Sequence, residues 1–328
     1  MTTSDPASAP FSTALLRDKR LLIYLFVGLR LIMLMVHQPL PPYTPGLTGF
    51  GDFAYFHGLA SLADQDKLPY RDYWFEYPPV VAFVSQAVYT VIHVRGGDFS
   101  AYAILLGIVL TAFDVGNLLL IRRIGTELHG PGTGTALSWI YALIPTPFII
   151  SFWSFDTIVA FFTLLAIAWL LDDQPDRSSL ATALGGLTKL MPLLLIGAVW
   201  RFRPVREAIR YSIFAIGLTV VGFALIVFFG GPYGVPSLAV QFSKSSAETV
   251  WALLDGNYST GILSPNHLNP ASAFELQRKP PLIPAVVRPA HFGAIARHQL
   301  RSRCGRVSAR ASRRSTATRG GSRDSRWA

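Results

Sequence analysis

Long apolar runs recur through the first two thirds of the chain and limit its fold more than any other feature. A helix needs about 20 mainly apolar residues to cross a bilayer. Only 15% of the 328 residues are charged, whereas soluble domains carry roughly 25%. The sequence therefore predicts an all-α fold, a polytopic transmembrane helical bundle of seven apolar segments. The segments are Leu21–Val36, Pro78–Val94, Ala101–Ile121, Thr135–Ile150, Phe152–Leu171, Leu180–Trp200 and Tyr211–Phe229.

Three clusters of basic residues predict which loops face the cytoplasm. They are Arg17–Arg20, Arg122–Arg123 and Arg201–Arg210, and cytoplasmic loops of membrane proteins are enriched in lysine and arginine. Seven simple crossings in alternation cannot bring all three clusters to one side of the membrane, because the second cluster would then lie outside.

Two of the apolar segments are interrupted in a way that removes this conflict. Pro78–Val94 opens with two consecutive prolines, and Leu180–Trp200 contains Gly185-Gly186 and Pro192 near its centre. Proline removes a helical hydrogen bond, and a broken helix at membrane depth is buried in protein or lines a cavity. We expect both segments to enter the membrane and return. Seven plain crossings that obey the charge rule weakly are the alternative.

Composition divides the chain into four regions. Residues 1–20 are predicted to form a cytoplasmic tail without a cleavable signal. Residues 21–230 are predicted to form the membrane core, in which the loop 37–77 lies outside. Residues 231–285 form a second outer loop, and residues 286–328 form an arginine-rich tail that is expected to be disordered.

The tail from Val286 to Ala328 differs in composition from everything before it. It contains eleven arginines, no lysine and a single acid, Asp324, and so carries the whole formal charge of +10. It could bind anionic lipid, or nucleic acid, although the aromatic residues typical of a nucleic-acid module are missing. Translation out of frame explains its composition best, which would make the chain a truncated copy of a longer protein. We expect no nucleic-acid partner.

The sequence gives no support to a metal or a cofactor. Cys304 is the lone cysteine, which excludes an internal disulfide bond and a cysteine-rich metal site. The seven histidines lack the HExxH pattern or similar spacing.

The stretch PYRDYWFEYPPVVAF, from Pro69 to Phe83, places three charged residues at the lip of an apolar segment. Asp52 precedes it and is followed by apolar residues at helical spacing, which is typical of a helix lying on a membrane surface. Carboxylates in this position are candidates for general-base catalysis. Capping of a helix by Asp52, and a solvated salt bridge among Arg71, Asp72 and Glu76, are the alternatives.

Ionisable residues also occur within or between the apolar segments. Lys189 lies in the middle of a segment, where an ionisable residue is costly and indicates a functional site by default. A lysine at a helix break is well suited to a lipid-linked phosphate. Asp156, between two segments, either faces the same site or caps a helix. Asp114 and Asn117 are expected to form a buried polar pair.

The order of these motifs resembles a known class of membrane enzymes. An early Asp52, the motif PYRDYWFEYPP and the later stretches WSFDTIVAFFTLLAIAWLL and GGLTKLMPLLLIG resemble the GT-C glycosyltransferases. Within them, the chain is most similar to the polyprenyl-phosphate-mannose-dependent α-mannosyltransferases of glycosyltransferase family 87. The resemblance covers about residues 20–230.

The resemblance implies a multi-pass enzyme of the cell membrane whose active site faces outwards. Such an enzyme passes a sugar, mannose in this family, from a polyprenyl phosphate to a hydroxyl group of a glycolipid or glycan. Its partners are the lipid-linked donor, the acceptor and membrane lipids, and no cofactor is required. Asp52 matches the catalytic aspartate, with Glu76 as a supporting catalytic group. The other implied residues bind the donor phosphate, Lys189 and Arg71, or line the site, Asp156, Tyr73 and Tyr77.

Two other functions fit part of the pattern. A transporter would suit broken helices and an intramembrane lysine, but the two halves of the chain show no internal repeat. An inactive product of truncation is the second alternative. An outer loop of about forty residues with clustered carboxylates favours the enzyme over the transporter.

Overall fold

The computed structural model describes residues 15–37, 52–144, 154–243 and 266–275. Within these ranges the chain is mainly helical and forms no β-strand, so the prediction of an all-α fold is confirmed there. Short 3-10 turns occur at Ser61–Gln65, Met191–Leu194 and Gly231–Tyr233. In chain order the helices are α1 (Lys19–His37), α2 (Phe53–Ala60), α3 (Pro79–His93), α4 (Phe99–His129), α5 (Pro131–Leu143), α6 (Asp156–Leu171), α7 (Pro175–Gly186), α8 (Leu195–Phe202), α9 (Val205–Phe229), α10 (Gly234–Ser243) and α11 (Ser272–Glu275).

Two of the described helices, α4 and α9, are long and apolar enough to cross a membrane. The most apolar stretch of α4 is 44% buried, whereas that of α9 is only 17% buried. Val220, Phe228 and Phe229 on α9 are each more than half exposed. Leaving apolar surface in water costs about 25 cal/mol per Å², so α9 is suited to apolar surroundings. The larger number of crossings stays a prediction.

A buried ion pair joins α1, α4 and α5. The Nε of Arg30 donates to Asp114 Oδ2 at 2.9 Å, and neither side chain has exposed surface. Arg30 Nη1 donates to the carbonyl of Ala142 at 3.1 Å, and the hydroxyl of Tyr141 donates to the other oxygen of Asp114. The guanidinium carbon lies 3.6 Å from the centre of the Phe26 ring. Hydrogen bonds from three helices thus compensate two charges inside the bundle.

Asn117 does not pair with Asp114 in the way the sequence suggests. Its side-chain amide instead donates to the backbone carbonyl of Thr157, in the first turn of α6, at 3.0 Å. This bond ties the middle of α4 to the start of α6, which is the part of α6 that enters the candidate site.

The apolar segment around Lys189 turns back at its centre, as its glycines and proline predict. Helix α7 ends at Gly186, and α8 begins at Leu195 after a short 3-10 turn. A Cβ atom added to Gly185 would lie 2.7 Å from Cγ of Pro192. A side chain at position 185 would clash with Pro192, so glycine allows the end of α7 to pack directly against the turn that follows it.

Both arms of this hairpin return to the same end of the bundle. Arg203, just after α8, pairs with Asp173, which lies just before α7. Arg123 of α4 pairs with the neighbouring Asp172, and Nη2 of Arg122 donates to the carbonyl of Arg17 at 3.4 Å. The three basic clusters of the sequence thus meet at one end of the described helices, which we call the basic end.

Pro78–Val94, by contrast, does not double back. Residues 79–93 form one unbroken helix, α3, so the expectation of a re-entrant segment here is wrong. Pro79 occupies the first turn of α3, where a backbone N–H has no helical partner and proline is favoured. The proline pair therefore starts a helix instead of interrupting one, and its 15 residues are fewer than a full crossing needs.

The motif before α3 is packed inside an aromatic core. Tyr73, Trp74 and Phe75 are at most 2% exposed, and the ring centroid of Phe75 lies 6.4 Å from that of Phe56 on α2. The backbone N–H of Phe75 donates to Ser237 Oγ on α10 at 3.0 Å. These contacts fix the backbone that carries the neighbouring carboxylate and phenol groups.

Several predictions fall on parts of the chain outside the described ranges. They include the arginine-rich tail, the start of the loop 37–77, the end of the segment Thr135–Ile150 and most of the second outer loop. The boundaries of the four regions stay predictions.

The buried ion pair generates a stability prediction. Arg30→Met leaves Asp114 buried without its cation, and breaking a buried pair typically costs about 3–5 kcal/mol. We expect the midpoint of thermal unfolding in detergent to fall sharply, and Arg30→Met/Asp114→Leu to recover much of the loss. The control is Arg210→Met, because the Arg210–Asp176 pair is more than half exposed and such pairs contribute about 0–1 kcal/mol. Equal effects of the two single substitutions would contradict the prediction.

Candidate functional site

The candidate site forms where the break after α7 meets the start of α3. The backbone N–H of Val80 donates to the carbonyl of Leu187 at 3.1 Å. The first N–H groups and the last carbonyl groups of a helix have no partner within that helix, so the two helix ends satisfy each other. Tyr77, just before α3, and Lys189, just after α7, consequently line one cavity.

This cavity has a volume of about 600 Å³ and mainly apolar walls. The polar groups among its lining side chains are the hydroxyl of Tyr77, the ammonium of Lys189 and the hydroxyl of Thr219. Thr219 donates to the carbonyl of Ala215 within its own helix at 2.8 Å. The apolar wall comes from the hairpin turn, from α9 and from α10, through Pro78, Leu190, Met191, Leu193, Leu194, Ile216, Val220, Phe223 and Leu238.

Lys189 pairs with Asp156, the first residue of α6. Lys189 Nζ lies 2.7 Å from Asp156 Oδ1, and the side chains are 51% and 52% exposed. The hydroxyl of Ser154 donates to Asp156 Oδ2 at 2.9 Å. An ammonium has three donors, so Lys189 has capacity for a second anionic partner beside Asp156. The sequence predicted both residues but not their pairing.

Asp52 uses its side chain for a long-range contact. It occupies the N-cap position of α2, yet its carboxylate forms no capping hydrogen bond with that helix. The hydroxyl of Tyr77 donates to Asp52 Oδ2 at 2.9 Å. Only the backbone of Asp52 contributes to the start of the helix, where its carbonyl accepts from the N–H of Phe56 at 2.8 Å. The side-chain cap that was the alternative for Asp52 is not formed. The carboxylate belongs to the site.

Tyr77 connects this carboxylate to the cavity and stays protonated. Burial raises the pKa of its phenol, and the charges of Asp52 and Glu76 and then Asp156 raise that pKa further. Burial, followed by the charge of Glu76, likewise raises the pKa of Tyr55 well above its usual value. Both phenols therefore stay protonated at neutral pH. Tyr77 donates to the carboxylate of Asp52, whereas the hydroxyl of Tyr55 lies beside Nε2 of His267.

Two residues predicted for the site lie elsewhere. Arg71 is 55% exposed and pairs with Asp72 at 2.8 Å, and its Nη2 donates to the carbonyl of Asp66 at 3.3 Å. The Leu68 backbone N–H, followed by Arg71, lowers the pKa of Asp72. Tyr73 is 1% exposed, so its ring face is covered and cannot stack on a sugar. Arg71 therefore forms an exposed salt bridge, which was the alternative to a site role. The salt bridge joins Arg71 to Asp72 and does not include Glu76.

The segment 266–275 packs on the motif, a contact that no sequence pattern predicts. The ring centroids of His267 and Trp74 lie 4.0 Å apart, and His267 Nδ1 donates to the Trp74 carbonyl at 2.8 Å. His267 Nε2 lies 3.3 Å from the hydroxyl of Tyr55. The indole of Trp74 donates to Ser272 Oγ at 3.0 Å. No local pattern around His267 predicts a partner 193 residues away in the chain.

The described residues thus bring Asp52, Tyr77, Asp156 and Lys189 together beside an apolar cavity. Glu76, next to Tyr77 in the chain, is buried, and its charge acts on the phenols of Tyr77 and Tyr55. Over all the described residues, His, Cys, Asp and Glu side chains form no group of three or more that could hold a metal ion. Comparisons of the chain with protein-family models, with curated proteins and with solved structures find no match.

Proposed function

We propose that this protein is a multi-pass membrane glycosyltransferase with a GT-C-like helical bundle. It transfers a sugar, with mannose as the first candidate, from a polyprenyl phosphate to a hydroxyl group of a glycolipid or glycan. The observation that carries the proposal is a mainly apolar cavity with Lys189 and the Tyr77–Asp52 pair beside it. A lipid-linked phosphate has the matching chemistry, since its chain is apolar and its head group is anionic.

A membrane location is supported by α9, whose apolar surface is largely uncovered. It is also supported by the span of α6, which begins in the site at Asp156 and ends just before Asp172 at the basic end. Sixteen residues rise about 24 Å as an α-helix, which is close to the thickness of about 30 Å of a bilayer core. Basic loops are typically cytoplasmic, so the site would face the outside.

The apolar wall suits the polyprenyl chain. Burying an apolar chain against α9 is favourable by about 25 cal/mol per Å², and the process leaves the phosphate beside Lys189. Lys189 would bind the phosphate with the donors that Asp156 does not use. Asp156 would keep the ammonium in position before the donor arrives.

The reaction requires a base beside the acceptor hydroxyl. Asp52 would take the hydroxyl proton while the acceptor oxygen forms a bond to the anomeric carbon of the sugar. The bond from that carbon to the phosphate oxygen breaks, and its electron pair leaves with the polyprenyl phosphate. Lys189 would stabilise the negative charge that develops on the leaving phosphate. Tyr77, protonated throughout, would orient Asp52.

Replacing Asp52 tests the base. Asp52→Asn keeps the shape of the side chain but removes its ability to take a proton, so the single-turnover rate should fall by about 10²–10⁴-fold with donor affinity unchanged. Asp66→Asn is a matched control, because Asp66 is exposed and has a left-handed backbone that asparagine adopts readily. Normal turnover of Asp52→Asn would show that Asp52 is not the base.

Replacing Lys189 tests the phosphate site. Lys189→Met keeps the apolar stem and removes the charge, and a hydrogen bond to a charged group contributes about 1.5–3 kcal/mol. We expect affinity for the lipid-linked donor to fall by about tenfold to a hundredfold. Arg71→Gln should leave it unchanged, because Asp72 holds that guanidinium.

A second variant separates this contact from repulsion by the remaining carboxylate. Lys189→Met/Asp156→Asn removes both charges, and the donor affinity should stay low if Lys189 binds the phosphate. Recovery of wild-type affinity in the double variant would mean that Lys189 only neutralises Asp156.

Labelling of single cysteines tests the orientation. In a Cys304→Ser background, Asp66→Cys should react with an impermeant thiol reagent in intact cells, because Asp66 is exposed in the same loop as Asp52 and Tyr77. Arg177→Cys, exposed in the first turn of α7 at the basic end, should react only after permeabilisation. The reverse pattern would place the site in the cytoplasm and exclude an outward-facing transferase.

A further inference from the structure

A second cavity region lies at the basic end, far from the candidate site. One cavity of about 690 Å³ is lined by Leu16, Arg17, Arg122 and Trp139 among others. Another of about 380 Å³ is lined by Lys19 and again by Arg122. Arg122 lines both cavities, so they adjoin at its side chain. We call this region, between the start of α1, the end of α4 and the start of α5, the basic cleft.

The cations of the basic cleft differ from their neighbours at the same end. Arg123, Arg203 and Arg210 each pair with an aspartate of the loop between α6 and α7 or of the first turn of α7. Over the part of the chain that the structure describes, no carboxylate lies within ion-pair distance of Arg17, Lys19 or Arg122. The cleft therefore concentrates positive charge that no ion pair among the described residues neutralises.

Two nearby acids, Asp18 and Glu127, offset part of this positive charge without pairing with its cations. Asp18 accepts hydrogen bonds from the backbone N–H groups of Arg20 and Leu21, at 2.8 and 3.4 Å, and so caps α1. Glu127 lines the smaller cavity without an ion pair among the described residues. Capping uses the charge of Asp18 at the helix end, where an acid is favoured.

Arg122 supplies a donor that points to a missing anionic partner. Its Nη2 reaches the carbonyl of Arg17, but its Nη1 is buried and has no hydrogen-bond partner among the described residues. A buried guanidinium donor without an acceptor is unfavourable, and a planar guanidinium matches a phosphate group well. This is a second observation, independent of the charge, in favour of an anion.

The cleft also has an apolar side. Trp139 lines it, with its indole donating to the carbonyl of Leu16 at 2.8 Å, and Leu16 is 51% exposed. Leu137 and Ile140, on the same helix as Trp139, are 38% and 52% exposed. A soluble phosphate would use the cations and leave this surface uncovered. An occupant with an anionic head and acyl chains would use both.

We propose that the basic cleft binds the head-group phosphate of an anionic phospholipid. The phosphate bridges Arg122 and the cations at the start of α1, and one acyl chain lies against Trp139 and Leu16. Basic pockets between helices at the cytoplasmic side are typical sites for such lipids. The bound lipid clamps α1 onto α4 and α5, and this role does not depend on the reaction at the other end.

The test measures lipid retention and thermal stability of the purified full chain in an uncharged detergent. We expect phosphatidylglycerol to stay bound in native mass spectrometry and to raise the unfolding temperature, and phosphatidylcholine to do neither. Arg122→Gln should weaken phosphatidylglycerol binding by about fivefold or more, the effect of removing one basic residue near an anionic head group. Arg177→Gln, exposed at the same end but outside the cleft, should bind normally.

Two further arms decide between the possible results. If Arg122→Gln does not fold, Arg17→Gln replaces it, since Arg17 is exposed and its contact with Arg122 is made by its backbone carbonyl, which the substitution keeps. Inorganic phosphate is added alone and in competition with the lipid. Unchanged lipid binding in the variant that folds would overturn the proposal. Equal stabilisation by inorganic phosphate would also overturn it, because the ligand would then be a soluble anion.

Discussion

The hydrogen bond between Val80 N–H and the Leu187 carbonyl is the contact on which the site depends. A helix that stops inside an apolar bundle leaves carbonyl groups without partners, and each unsatisfied group there is costly. A helix that starts leaves N–H groups in the same condition. Because the end of α7 and the start of α3 supply each other, the motif PYRDYWFEYPP is held against the break that carries Lys189.

The local effects of proline and glycine explain why the hairpin around Lys189 was predicted correctly from the sequence and the effect of Pro78-Pro79 was not. Gly185 and Pro192 lie within one apolar segment, and their effect on a helix is felt within a few residues. The prolines at 78 and 79 have the same chemistry but stand at the first turn of α3, where they favour the helix. The position of a proline relative to the helix start decides which effect it has, and the residues before it gave no clear helix boundary.

Pairings across the chain were less predictable than individual residues. Asp52, Asp156 and Lys189 were all chosen from the sequence, yet the partner of Asp52 is Tyr77 and the partner of Lys189 is Asp156. The family resemblance implies that Arg71 binds the donor phosphate. Asp72, the next residue in the chain, can pair with Arg71 without closing a long loop, which would cost entropy. The structure shows this local pair.

The buried ion pair of Arg30 could have been predicted from the sequence but was not. An arginine in the middle of the first apolar segment requires a buried partner, since an isolated charge in such a place is unfavourable. Asp114 was recognised as buried, and opposite charges in two apolar segments suggest each other as partners. The structure joins them, and the resulting contact fixes α1 against α4.

The position of Tyr77 constrains how the proposed reaction would be arranged. Tyr77 lines the apolar cavity, whereas Asp52 lies behind it and is not part of the cavity wall. A lipid chain in the cavity and a base at Asp52 would therefore sit on opposite sides of one phenol. The acceptor hydroxyl would then approach from the Asp52 side and the donor phosphate from the Lys189 side, with the sugar passing beside Tyr77. In this arrangement the two substrates enter by separate routes, one from the apolar phase and one from water. The buried Trp74 and the packing of His267 on it would keep the motif rigid between those routes.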